Sequence, residues 1–126
     1  MQDSGITVVL GASPKVERYS NRAMEMLWQH RIDFEGIGNR SFEFREKKII
    51  NNIAESEWKA KKIDTISLYL TAKNQEVWKE WIFLTKPRRV IFNPGTENED
   101  FERALEARGI LALRECTLVL LATNQY

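Results

Sequence analysis

The feature that most constrains this chain is an alternation of short β-branched runs with stretches of helical period, repeated along 126 residues. Ile6, Thr7, Val8, Val9 and Leu10 form an unbroken run that stops at Gly11, the pattern of a strand buried on both faces. A helix is predicted over 21–30, where Ala23, Met24, Leu27 and Trp28 recur at three- and four-residue spacing behind Ser20 as N-cap. Residues 32–37 read as a second strand, less buried on the side of Asp33 and Glu35. Between 38 and 62 the pattern weakens: Phe42, Phe44, Ile49 and Ile50 suggest short extended pieces, and 53–58 a turn or two of helix. A third strand follows over 63–70, then a helix capped by Thr71 with Val77, Trp78, Trp81 and Ile82 on its apolar side, stopped at Pro87. Val90, Ile91 and Phe92 form a fourth strand. Thr96 and Glu99 match a capping box, with Gly109 as the C′ glycine of that helix. A short fifth strand over 110–113 and an apolar segment over 117–123, helical or extended, complete the chain. Right-handed crossovers between such strands place helices on both faces of a parallel sheet. The expectation is a single doubly wound α/β domain over residues 1–126, with a five-stranded parallel sheet.

Composition narrows the function classes. The 19 basic and 18 acidic residues leave a net charge of +1, which argues against a dedicated nucleic-acid binder. The longest apolar run, 118–122, falls far short of the roughly 20 residues that span a bilayer, so no membrane partner is expected. The first five residues lack the basic and apolar regions of a secretory signal, and a reduced cytoplasmic setting is the expectation. Cys116 is the sole cysteine and His30 the sole histidine, so an internal disulfide is excluded and neither a usual zinc set nor a Ser-His-Asp triad is easily assembled.

In a doubly wound sheet, ligands bind beyond the carboxyl ends of the strands, where strand order reverses. The loops there are 11–20, 38–40, 71–74 and 93–97. The first carries Gly11, Ala12, Ser13, Pro14 and Lys15, then Arg18, Tyr19 and Ser20 ahead of a helix. Free N–H groups and the helix dipole favour an anion at such a place, and Lys15 and Arg18 add charge. The dinucleotide fingerprint fails, because the next glycine is Gly36, and the P-loop pattern of the nucleotide triphosphatases fails as well. A lone glycine after a strand therefore fits a tight structural turn as well as a phosphate cradle. After the second strand come Gly38, Asn39 and Arg40. A guanidinium there, in place of the carboxylate of an NAD site, suits a ribose that bears its own phosphate, as in coenzyme A or NADP.

Three blocks carry a family resemblance: residues 11–23, the run Val90, Ile91, Phe92, Asn93, Pro94, Gly95, Thr96, Glu97 and Asn98, and residues 115–121. Together they resemble the small bacterial CoA-binding-domain proteins, whose Rossmann-like fold is related to the CoA-binding domain of the succinyl-CoA synthetase α subunit. The likeness runs over 7–126. It implies a nucleotide- or CoA-binding module with no established reaction. By matching position, Gly11, Ala12, Ser13, Lys15 and Arg18 would lie on the diphosphate. Gly38 and Arg40 would border the adenosine end, and Asn93, Pro94, Gly95 and Thr96 the inner edge of the cleft.

The expected function is thus non-catalytic binding of coenzyme A or an acyl-CoA. The alternatives are an NADP-binding enzyme or redox sensor, with Tyr19 and Tyr69 as proton donors, and a regulatory subunit acting through a protein partner such as an acyl-CoA synthetase. Cys116 is expected as a buried structural thiol and His30 as a solvated helix-end residue. Two basic clusters, 59–62 and 86–89, precede strands; if those strands are neighbours, the clusters adjoin and attract an acidic partner. Trp78 and Trp81, three apart, suit packing or a homodimer contact.

Overall fold

The computed structural model describes residues 5–52 and 61–126; the helical turn expected over 53–58, and Trp58, Lys59 and Ala60, lie outside them. In chain order the elements are β1 (Ile6–Ala12), α1 (Tyr19–Gln29), β2 (Phe34–Gly38), β3 (Phe42–Phe44), β4 (Lys47–Ile49), β5 (Ile63–Leu68), α2 (Ala72–Gln75), a 3₁₀ turn (Glu76–Trp78), α3 (Lys79–Thr85), β6 (Arg89–Phe92), α4 (Glu99–Ala107), β7 (Leu111–Leu113) and α5 (Thr117–Ala122). Among the described residues, five strands form a sheet of order β2-β1-β5-β6-β7, every pairing parallel. This is the doubly wound arrangement expected from the alternation. The order reverses between β1 and β5, so the connections leaving their carboxyl ends run to opposite faces of the sheet and leave a crevice.

Period-two alternation assigns the strand residues to the two faces. Val8 and Leu10 of β1 join Ile66, Leu68, Val90 and Phe92 beneath Ile82, Phe101 and Leu105 of α3 and α4. Val9 faces the other way, toward Met24 and Leu27 of α1 and Leu121 of α5. Burying one such large side chain stabilises the fold by roughly 1.5–3 kcal/mol, so the two layers hold the sheet rigid beneath its loops.

Each margin of the sheet is covered for part of its length. The outer side of β2 is met by Ile50, whose backbone accepts from Gly38 N–H at 2.9 Å and donates to Gly36 O at 3.2 Å. At β7, Leu111 N–H donates inward to Arg88 O at 3.1 Å. The outward N–H of Ala112 donates to the Glu106 carboxylate at 2.8 Å. The short extended pieces expected after β2 are present as an antiparallel β3–β4 hairpin.

Several local expectations are corrected. The second strand is buried throughout its first four residues, Glu35 included. Lys47 and Lys61 each reach the Glu35 carboxylate at 3.6 Å, which is what makes the burial of that charge tolerable. Ser20 is not the N-cap of α1; Arg18 occupies that place, and Ser20 lies inside the first turn. Thr71 precedes α2 without a side-chain cap bond. Val77, placed on the apolar side from spacing, is 83% exposed, because a 3₁₀ turn interrupts the α-helical period there. The capping box of α4 starts two residues later than Thr96: Asn98 Oδ1 accepts from Phe101 N–H at 3.3 Å, and Glu102 accepts from Asn98 N–H at 2.8 Å. Gly109 does follow the end of α4, where Ile110 N–H bonds back to Leu105 O. The apolar segment near the end of the chain is helical. Among the described residues no helix is long and apolar enough to cross a membrane.

Candidate functional site

Two glycines bring the walls of the crevice together. Gly11 has φ +101° and interrupts the β1–β2 ladder. A Cβ there would stand 3.0 Å from the Tyr69 carbonyl, so the exit of β1 can lie directly on that of β5. At the end of β2, a Cβ on Gly38 would come within 2.2 Å of the Ala12 carbonyl oxygen. That close approach carries Asn39 and Arg40 over the loop that follows β1.

The crevice has two connected chambers. The first, about 470 Å³, is lined by Gly11, Ala12, Ser13, Pro14, Lys15, Arg18, Asn39, Arg40 and Leu70. The second, about 270 Å³, is lined by Tyr19, Ser20, Tyr69, Thr71, Pro94, Gly95 and Thr96 and shares Gly11, Ser13 and Arg18 with the first. Of the residues singled out in the sequence, only Gly38 and Asn93 line neither. Gly38 sits behind Ala12, and Asn93 is buried beneath the loop it begins.

The β1–α1 loop is wired internally. Ser20 Oγ accepts from Ser13 N–H at 3.1 Å, Ser13 Oγ from Lys15 N–H at 3.1 Å, and Asn21 Nδ2 donates to Ser13 O at 2.9 Å. The Ser13 N–H, expected to be free for an anion, is thus already used. The open donors lie one turn further on. Helix α1 starts with no side-chain cap and no acidic residue in its first turn, leaving N–H groups and the positive end of the dipole unopposed beside Tyr19 and Ser20. Lys15, Arg18 and Arg40 form no ion pair among the described residues. Three uncompensated cations and an uncapped helix start therefore face one crevice.

The opposite wall rests on buried amides. Asn93 Nδ2 donates to Ser67 Oγ at 2.9 Å and to Leu68 O at 2.8 Å, and its Oδ1 accepts from Thr117 N–H at 2.8 Å. Thr96 Oγ1 donates to Asn93 O at 2.8 Å, which is where its hydroxyl goes instead of capping α4. Burial pushes the Tyr69 phenol up to about 12. Its hydroxyl makes no bond of good geometry; the neighbouring Ser67 and Thr117 hydroxyls are engaged with each other at 2.8 Å. Tyr69 keeps its proton through the neutral range, which makes it a weak acid for the redox-enzyme alternative.

The crevice lies at the switch point of a parallel sheet, and the comparisons bear on the family and fold that build it. A family model described as a CoA binding domain matches residues 6–122. The chain belongs to that family. It also resembles a solved structure of an uncharacterized protein at 38% identity, covering 99% of this chain and 100% of that one with a TM-score of 0.88. A hypothetical protein from Pyrococcus horikoshii OT3 shares the fold at 22% identity, 90% and 78% coverage and a TM-score of 0.78. The same fold recurs in a dinucleotide-forming acetyl-coenzyme A synthetase of Ca. Korarchaeum cryptofilum at 13% identity, 86% and 25% coverage and a TM-score of 0.66. No curated protein matches the sequence.

Elsewhere on this CoA-binding-domain chain, the other candidates carry less. Cys116, expected buried, is half-buried before α5 and borders a separate cavity of about 300 Å³ with Pro94, Glu97 and Arg114. His30 is an exposed helix-end residue whose Nδ1 meets Met26 O at 2.8 Å. Strands β5 and β6 are neighbours, so Lys61, Lys62, Lys86, Arg88 and Arg89 do adjoin at the amino end of the sheet. Much of that charge is spoken for: Lys61 reaches Glu35, Arg88 pairs with Asp64 at 2.9 Å, and Arg89 is buried against Thr65 and the Tyr126 ring. Trp78 and Trp81 meet edge-to-face at 5.6 Å and pack on the protein's own core. Among the described residues no cluster of three or more metal-ligating side chains exists. The sequence reading missed Leu70 and Gln75. Gln75 had a signal: it stands three before Trp78 and seven before Ile82, on the core side of the helical pattern, where an amide needs a reason.

Proposed function

We propose that the crevice binds coenzyme A, free or acylated, without itself carrying out chemistry on it. The observation that carries this reading is the convergence of Lys15, Arg18 and Arg40, none of them ion-paired among the described residues, on a crevice at the uncapped start of α1. Coenzyme A presents a diphosphate and a ribose phosphate, and charge-assisted bonds to such groups are the strong kind. In this reading the diphosphate lies over Ser13 and Arg18 at the waist of the crevice, with the α1 dipole behind it. The phosphorylated ribose lies toward Lys15 and Arg40 in the larger chamber. The pantetheine arm follows the smaller chamber between Tyr19, Tyr69 and Pro94. The described lining of that chamber offers hydroxyls but no histidine, cysteine or carboxylate to activate them, and this favours holding the ligand over transforming it.

Calorimetric titration with coenzyme A, dephospho-coenzyme A, NAD and NADP tests the reading. Coenzyme A should bind most tightly. Dephospho-coenzyme A should lose about tenfold or more, the scale of one lost charge-assisted contact, and Arg40→Glu should erase that difference. Equal affinity for the two would remove the role given to Arg40. NADP binding best would favour the dinucleotide alternative.

A further inference from the structure

We propose that Gln75, which lines neither chamber of the crevice, is a positioning residue that sets the distance between the two loops walling the smaller chamber. Its side chain is fully buried, and all of its polar capacity is directed at those loops and their support. Nε2 donates to Leu70 O at 2.9 Å and to Thr96 O at 2.7 Å. Oε1 accepts from Asn98 Nδ2 at 2.9 Å. Leu70 belongs to the β5–α2 loop and Thr96 to the β6–α4 loop, so one amide beneath the crevice holds a carbonyl from each of two neighbouring loops. Asn98 fixes which way the amide faces. Its Oδ1 is engaged with Phe101 N–H, so only its Nδ2 is left for Gln75, and Nδ2 demands an acceptor. The capping residue of α4 thereby decides that the Gln75 NH₂ points at the loops.

A chamber of about 270 Å³ leaves little slack. If the clasp opens, two buried carbonyls lose their donor and the loops move to find water. The larger chamber depends on the β1–α1 and β2–β3 loops, with Leu70 its only lining residue from the clasped pair. Gln75 therefore acts on the part of a ligand that enters the smaller chamber and leaves the phosphate end alone. This rests on the coenzyme A reading above.

The test compares coenzyme A with 3′-phosphoadenosine 5′-diphosphate, which has the same phosphates and no pantetheine. Two variants open the clasp differently. Gln75→Met removes the amide at similar volume. Asn98→Asp keeps a good α4 cap but presents an acceptor to Gln75, so the amide turns over and withdraws its donor from Leu70 and Thr96. Each variant should weaken coenzyme A by about tenfold and change the truncated ligand by less than about twofold. Equal losses for both ligands, or no loss for either, overturn the positioning role while the coenzyme A reading stands. If Gln75→Met does not fold, judged by far-ultraviolet circular dichroism, Asn98→Asp decides alone, since its helix start is preserved. Failure of the unaltered protein to bind coenzyme A overturns both proposals together.

Discussion

At Gly38 the shape of the crevice depends on the absence of one methyl group. A Cβ would lie 2.2 Å from the Ala12 oxygen, a backbone atom at the end of the neighbouring strand, so a rotamer change cannot relieve the clash. Gly38→Ala should cost about 2 kcal/mol or more in urea unfolding and displace Arg40 from the crevice mouth. A cost below about 0.5 kcal/mol would mean that the two strand ends part readily enough to admit a methyl group. Other single residues show why part of the site could not be read from sequence. Ser20, Thr96 and Asn93 all sit where local pattern offers them a role as cap or cleft edge. Each spends its polar atoms on a partner elsewhere: Ser13, Asn93, and the pair Ser67 and Thr117. Local sequence shows that such a residue needs a partner, and the fold decides which one it meets.

Among the elements, the β3–β4 hairpin is built against its own turn. Its two central residues, Arg45 and Glu46, have φ of +48° and +69°, where asparagine and glycine are the usual choices. What holds the turn is Arg45. Its guanidinium forks onto Glu25 at 2.7 and 3.0 Å and lies over the Trp28 ring at 5.4 Å, pinning the hairpin to α1. Glu46 has no such compensation in the β3–β4 pairing. Glu46→Gly should therefore stabilise the protein by about 0.5–1 kcal/mol, read as a higher urea midpoint at unchanged slope; a lower midpoint would assign Glu46 a contact worth more than its strain. The hairpin also explains how legible the elements were. Buried runs such as Ile6–Ala12 announce themselves, because every residue must be apolar or β-branched. A hairpin of three-residue strands, and a helix broken by a 3₁₀ turn at Glu76–Trp78, have too few periods to be read. Their form comes from what they dock on.

The molecule as a whole separates its charges by end. Among the described residues, Lys15, Arg18 and Arg40 have no ion-pair partner at the carboxyl end of the sheet, whereas at the amino end Arg88 is bound by Asp64. Burial pushes the Asp64 carboxyl up, but the bonds from Arg88 and from the Thr65 hydroxyl together outweigh it, and the group ends below its usual range. A carboxyl whose folded pKa lies below its unfolded value of about 3.9 contributes stability that is complete above that value. That contribution is lost as pH falls through the folded pKa. Unfolding free energy measured by urea should thus decline as pH is lowered from about 5 toward 3, and Asp64→Asn should flatten that part of the profile. An unaltered slope in the variant would place the acid sensitivity elsewhere. At this scale the sequence was most informative: alternation gave the layers, and the layers told which loops meet. Which chamber each loop lines depended on the approach of Gly38 to Ala12 and on the Gln75 amide, contacts between residues distant in the chain. The partly covered margins have one more consequence. With Ile50 bonded to Gly36 and Gly38 on one border and the Glu106 carboxylate on the Ala112 N–H of the other, a passing strand meets a ladder already part-occupied at both. Crowded copies meet a shortened seam along which to knit, and fibril-like growth a poorer starting template at these two borders.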